Sequence, residues 1–141
     1  MLLVDVHGVP LSIIVTAANH HDVTQLEPVL DAIVARRPRS RPYARQHLCA
    51  DAAFRGDPAE QAIRRRRYIP HVRSRIEELR TKKRHPPRRW VVEVAHSWFS
   101  RFRKLLVRYE KTHRSYLALN MLAAAIISFR RVPARINIIY G

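Results

Sequence analysis

Cysteine is nearly absent: Cys49 is the only one among 141 residues. A lone thiol excludes an internal disulfide framework and a zinc site built from cysteines. Acids are also few, 11 Asp plus Glu against 27 Lys plus Arg, which leaves a formal net charge of +16. Such an excess predicts a polyanionic partner, with nucleic acid as the first candidate. No apolar run reaches the roughly 20 residues of a membrane span. The longest, Tyr116 to Phe129, is interrupted by Asn120 and Ser128 and reads as a buried helix. The opening MLLVDVHG carries an acid and a histidine where a signal peptide needs a basic start and a longer apolar stretch. No internal repeat is present. These absences point to a cytoplasmic, basic protein with no membrane partner. At 47% hydrophobic residues the chain is long enough to bury one core, so residues 1–141 read as one domain.

The pattern along the chain predicts strands and helices in mixture. MLLVDV, the turn His7-Gly8-Val9-Pro10 and the β-branched LSIIVT read as a hairpin, its second strand apolar enough to be covered on both faces. Asp22 with Gln25 three residues on fits a capping box, followed by a helix burying Val29, Leu30, Ile33 and Val34 and ending near Arg37-Pro38. After the polar loop 38–45, HLCADA reads as a third strand. Asp57-Pro58-Ala59-Glu60 starts a second helix, with Asp57 as its cap and Glu60 closing the box. Tyr68-Ile69-Pro70-His71-Val72 fits an edge strand, because proline cannot donate to a ladder. Residues 73 to 89 form a basic loop ended by Pro86-Pro87. Two helices finish the chain, Trp90 to about Glu110 and Tyr116 to about Arg131. Strands interleaved with helices predict an α/β sheet flanked by helices.

With only 11 acids, each can be weighed. Asp22 and Asp57 are helix caps. Glu27, Asp31, Glu60, Glu77, Glu78 and Glu110 lie in helical or basic surroundings, where they offset positive charge. Asp5, Asp51 and Glu93 remain. Asp51 ends an apolar strand, where open α/β sheets place ligand chemistry, although a turn aspartate has the same appearance. At about 100° per residue, Val91, Ala95, Trp98, Phe99, Phe102, Leu105, Leu106 and Tyr109 form one apolar face. Glu93 projects oppositely, in line with Arg89, Ser97, Ser100, Lys104 and Lys111, either as a solvated salt-bridge partner or facing Asp51 and bound phosphates. Cleaving or joining a phosphodiester bond requires an activated oxygen nucleophile and stabilisation of charge at phosphorus. A pair of Mg²⁺ ions supplies both, and Mg²⁺ takes few protein ligands, mostly carboxylates. His20-His21-Asp22 reads as a cap preceded by exposed histidines, and Trp98 and Phe102 as core.

Three segments carry a resemblance: LLVDVHGVPLSIIVTAANHHDVTQLEPVLDAI, LCADAAFRGD and, most specifically, RRWVVEVAHSWFSRFRKLLVRYEKTHRSYLALNMLAAAI. The chain resembles the C-terminal part of the DDE transposases of bacterial insertion sequences, which implies an RNase H-like mixed sheet flanked by helices. The family's A-D-x-x-[YF] motif falls on Asp51, and the glutamate of its W-V-V-E segment falls on Glu93. Both are thereby implied to be catalytic metal ligands. Arg89 meets the family's arginine four residues before the glutamate. Ser100 stands where a lysine is usual, with Lys104 as the nearest substitute, and Ala52-Ala53 replaces residues that are commonly basic or glycine. The family's first catalytic aspartate lies on a strand upstream of the hairpin, so Asp5 matches a non-catalytic position. The resemblance therefore implies a catalytic domain incomplete at its N-terminus, without a helix-turn-helix region.

The function this implies is Mg²⁺-dependent cleavage and transfer of DNA strands by the full-length enzyme. A two-metal site would be held in part by Asp51 and Glu93, and Arg88, Arg89, Lys104 and Lys111 would contact DNA. The 141-residue chain alone is expected to be inactive, and to associate with the nucleoid. It is expected to pair with an upstream transposase segment or with itself. The alternatives are an inert DNA-binding remnant and an RNA-binding accessory protein.

Overall fold

A computed structural model describes residues 1–16, 21–36, 38, 43, 45–72 and 90–131. The basic loop at 73–89, with Arg88 and Arg89, and His20 lie outside the described residues, as does most of the 38–45 loop. The fold is mixed α/β. Strands β1 (Leu2–Val4) and β2 (Pro10–Ile13) pair antiparallel, with Leu2 opposite Ile13 and an irregularity between Leu3 and Val4. Strands β3 (Gln46–Ala50) and β4 (Tyr68–Val72) pair parallel, with Gln46 opposite Tyr68 and Ala50 opposite Val72. Among the described residues these are two separate two-stranded sheets. Helix α1 (Leu26–Asp31) follows β2, and α2 (Asp57–Arg65) joins β3 to β4. Helices α3 (Trp90–Ser100), α4 (Arg103–Leu106) and α5 (His113–Arg131) complete the described chain.

Alternation along the hairpin divides the interior in two. Leu3 and Ile14 pack on a cluster of Leu26, Val29, Leu30, Leu48, Ala59, Ala62 and Ile63 drawn from α1, α2 and β3. Leu2 and Ile13 pack on a second cluster of Phe99, Leu105, Ala123 and Ile127, drawn from α3, α4 and α5. Both faces of the hairpin are thus covered, as its apolar run requires. Buried Ser12 donates to the Val29 carbonyl at 2.6 Å, tying β2 to α1. The hairpin turn is held by Asp5, whose Oδ1 accepts from the backbone N–H groups of His7 and Val9, each at 2.8 Å. Gly8 sits in that turn at φ +80°, and a Cβ there would lie 3.1 Å from the Trp98 ring, so glycine serves both the conformation and the close approach.

Helix boundaries depart from expectation in three places. Residues Asp22–Gln25 form a 3₁₀ turn without a capping box; Thr24 Oγ1 instead donates to the His21 carbonyl. Pro28 explains the delay, since it has no N–H with which to close an α-turn begun before Gln25. Helix α1 then stops at Asp31, because the Val34 N–H bonds the Leu11 carbonyl at 3.1 Å rather than a helical one. Val34 consequently faces solvent at 87% exposure. At α2, Gly56 rather than Asp57 is the cap. Asp57 and Pro58 occupy the first turn, where a carboxylate favours the helix dipole. Glu60 pairs with Arg64 at 2.7 Å instead of closing a box.

The third departure bears on the site. The expected continuous helix from Trp90 to Glu110 is broken, because Phe102 and Val107 have extended backbones on either side of α4. An unbroken helix would carry Leu105 roughly 9 Å beyond Phe99. The break returns Leu105 to the second cluster, which Phe99 also enters, while Leu106 and Tyr109 are left exposed. Lys104 and Lys111 therefore do not continue the α3 face that bears Glu93, so Lys104 is no one-turn substitute for the lysine that Ser100 replaces.

Candidate active site

Asp51 and Glu93, 42 positions apart in the chain, line one cleft of about 520 Å³. It runs between the two sheets, with β1 residues Leu2, Leu3 and Val4 and β3 residues His47 to Ala50 among its walls. Its floor includes Leu26, Val29 and Leu30 from the first core cluster. Asp51 arrives there because β3 ends at Ala50 and the chain turns into a 3₁₀ segment, Ala52–Phe54, whose first N–H bonds the Asp51 carboxylate. Glu93 arrives there from the first turn of α3, whose Val91 and Ala95 are buried. Both acids are exposed, so neither costs much desolvation.

The charge of this cleft opposes that of the chain. Four of the 11 acids line it, Asp5, Asp22, Asp51 and Glu93, and among the described residues no Lys or Arg does. In a protein of net charge +16, such segregation makes the cleft a local sink for cations. The four acids differ in availability. Asp5 is committed to its turn through two backbone donors, as a strand or turn residue should be. Asp51 keeps a cap bond while facing the cleft.

Carboxylate donors suit a hard divalent cation, and Mg²⁺ retains several waters and needs few protein ligands. Asp51 and Glu93 fit that requirement as two donors. Among the described residues, no group of three His, Cys, Asp or Glu side chains is placed to hold a metal ion. His21 is exposed beside Asp22.

His96 was not expected in the cleft wall, one turn along α3 from Glu93. The i, i+3 spacing was the available signal. Burial holds its imidazole below the usual histidine value, with the nearby N-terminal ammonium adding to the effect. A neutral imidazole beside the acids can accept a proton or a hydrogen bond. His47 and His71 were missed as well. Their rings stack with centroids 4.9 Å apart, and Nδ1 of His47 lies 2.7 Å from Nε2 of His71, so one ring donates to the other. Only the parallel register, with Cys49 beside His71, brings them together.

Of the expected DNA contacts, Lys104 lies on α4 and Lys111 between α4 and α5, both exposed. Away from the cleft, Glu27, Asp31 and Glu60 behave as charge partners. Arg66 donates to both Asp31 oxygens, at 2.8 and 2.7 Å, and to Glu27 at 3.0 Å. The Arg66 hydrogen bond holds the Asp31 carboxyl below its ordinary value. Among the described residues, no helix is long and apolar enough to cross a membrane.

Comparison with known proteins places the chain. No solved structure matches it. It is 34% identical over 135 residues to a protein of Burkholderia cepacia named as a transposase for insertion sequence element IS402, an alignment covering 92% of this chain. The chain spans 63% of that relative's length. The family described as the transposase DDE domain matches residues 1–128, and the chain belongs to that family.

Proposed function

We propose that the cleft is part of the active site of a DNA transposase, which cleaves and transfers DNA strands with divalent metal, Mg²⁺ by its ligand chemistry. The observation that carries this is the cleft lined by four acids and, among the described residues, by no Lys or Arg, in a chain of net charge +16. Asp51 and Glu93 hold the metal in this reading. Bound there, a divalent metal would supply activation of an oxygen nucleophile and neutralisation of charge at phosphorus. Lys104, Lys111, Arg88 and Arg89 contact DNA phosphates in this reading. Asp5 takes no part in catalysis, because its carboxylate is already engaged in the turn.

The two sheets are, in this proposal, the flanks of one RNase H-like mixed sheet. β1 pairs with β2 and β3 with β4, and the cleft separates β1 from β3. An extended segment, from outside residues 1–141 or from a second copy, would pair with these edges and bring a third carboxylate. Open strand edges are templates for such pairing. With Asp51 and Glu93 as the assigned ligands and Asp5 held in its turn, at least one ion of a two-metal pair would bind weakly, so the 141-residue chain alone would cleave poorly.

The test is nicking of supercoiled DNA with Mg²⁺ or Mn²⁺, by the chain alone and with the completing segment fused or added. Metal-dependent nicking should rise with the segment and vanish in Asp51→Asn and Glu93→Gln. Nicking by the completed protein that survives both substitutions would overturn the assignment. Robust nicking by the short chain, abolished by either substitution, would instead overturn the need for a third carboxylate.

A further inference from the structure

A second cavity, of about 340 Å³, is lined by Trp98, Arg101, Phe102, Ile127, Arg130 and Arg131. It shares no lining residue with the acidic cleft. Its charge is the inverse: three arginines and, among the described residues, no acid. Arg101 follows the last residue of α3, and Arg130 and Arg131 end α5. Two helix C-termini therefore converge here.

Cations at helix C-termini have an ordinary structural role, which must be subtracted first. Each C-terminus carries the equivalent of roughly half a negative charge. Two of them offset about one of the three guanidinium charges, leaving about +2 on the cavity. The surrounding sequence does not absorb this remainder: residues 94–131 contain eight Lys and Arg but a single acid, Glu110. Among the described residues, no ion pair involves Arg101, Arg130 or Arg131. All three are exposed.

Arg131 is also held in place. Its guanidinium carbon lies 3.9 Å from the centre of the Trp98 ring, a cation–π contact that orients the planar fork. The ring is itself packed against Gly8 in the hairpin turn. A pre-oriented guanidinium loses less freedom on binding than a mobile one, and its fork matches the oxygens of a phosphate.

We propose that this arginine pocket is a DNA backbone site, in which Arg101, Arg130 and Arg131 bind phosphodiester oxygens of duplex DNA away from the cleft. It rests on the reading of the protein as a DNA transposase and extends it to a second contact surface. It carries no sequence readout, because nothing in it is directed at base edges beyond the guanidinium groups themselves.

The test is duplex DNA affinity measured across a salt series. Each phosphate contact removed should lower the slope of log K against log salt by roughly 0.9. Arg101→Gln and Arg130→Gln should each lower the slope, and the triple variant including Arg131→Gln should lower it by two to three such steps. Arg114→Gln, at the opposite end of the 19-residue α5, should leave it unchanged. Thermal melting checks that each variant is folded. An unchanged slope in a folded triple variant overturns the proposal. So does an equal decrease in Arg114→Gln and Arg101→Gln, which would mean diffuse attraction without a site. Asp51→Asn, measured in parallel, keeps the two readings apart: metal-dependent cleavage indifferent to Asp51, with the slope still set by the pocket, would sink the cleft assignment and leave this one standing.

Discussion

Ile63→Ala is the substitution that most directly probes how Asp51 is held in position. Ile63 is 0% exposed, on the inner face of α2, in the cluster that also buries Leu48 of β3. Truncation removes three carbons, worth about 2.4 kcal/mol at ~0.8 kcal/mol per buried methylene. If neighbours did not relax, the void would add up to about 2 kcal/mol at ~24 cal/mol per Å³. The expected loss is therefore about 2.5–4 kcal/mol, a lowering of the melting temperature by roughly 10 °C for a chain of this length. Urea unfolding followed by circular dichroism measures it, with the slope on denaturant checked for constancy. Because α2 leads into β4 and β4 pairs with β3, the same variant should bind divalent metal more weakly even where it remains folded. A loss under 1 kcal/mol with an unchanged slope would refute the argument, since it would mean the helix and strand are not joined through this residue.

Three further outcomes are expected. Glu93→Gln should change the melting temperature by no more than an exposed substitution does, within about 0.5 kcal/mol; a large loss would make Glu93 a structural residue. Arg67 adopts φ 62° just after α2, so Arg67→Gly should be neutral or stabilise by up to about 1 kcal/mol in the same urea assay, and a destabilised variant would contradict this. Asp31, held below its ordinary value by the Arg66 hydrogen bond, contributes stability that is present above the unfolded carboxyl value near pH ~4 and is lost as pH falls through the lowered folded one. Acid unfolding of Asp31→Asn should lack that contribution, and identical acid profiles for the two proteins would count against it.

What the sequence made legible follows from the range of the interactions involved. The hairpin, β3, α2, β4 and α5 were readable because their signals are local: β-branched runs, an Asp57-Pro58-Ala59-Glu60 start, a proline in an edge strand. Helix ends were less readable, because tertiary hydrogen bonds decided them. The Val34 bond to Leu11 ends α1 across 23 positions, and no local pattern encodes it. The break at Phe102 is the same effect on a larger scale. Periodicity placed Phe99, Leu105, Leu106 and Tyr109 on one face, but α5 offers cover to only part of it. Trp98 and Phe102 do pack against the second cluster, so their periodic placement in the core holds.

The charge pattern was only half legible. Net charge announced a polyanionic partner, yet the sum of +16 conceals a division that only the fold displays. Four acids from four separate stretches of chain gather where the two sheets face each other, and three arginines gather where two helices end. This division is what phosphoryl transfer on DNA needs. A uniformly basic surface would bind the backbone everywhere and would repel the cations that chemistry at phosphorus requires. A uniformly acidic one would repel the backbone. In the proposed function, separating the two would let one part of the chain hold DNA while another holds metal. The separation has a geometric origin: Glu93 and His96 stand on the first two turns of α3, whereas Arg101 follows its last residue. One helix of 11 residues thus presents the acid end to the cleft and the arginine end to the second cavity. The break at Phe102 then serves both ends, since it stops α3 where Arg101 lines the second cavity with Arg130 and Arg131 and returns Leu105 to the second core cluster.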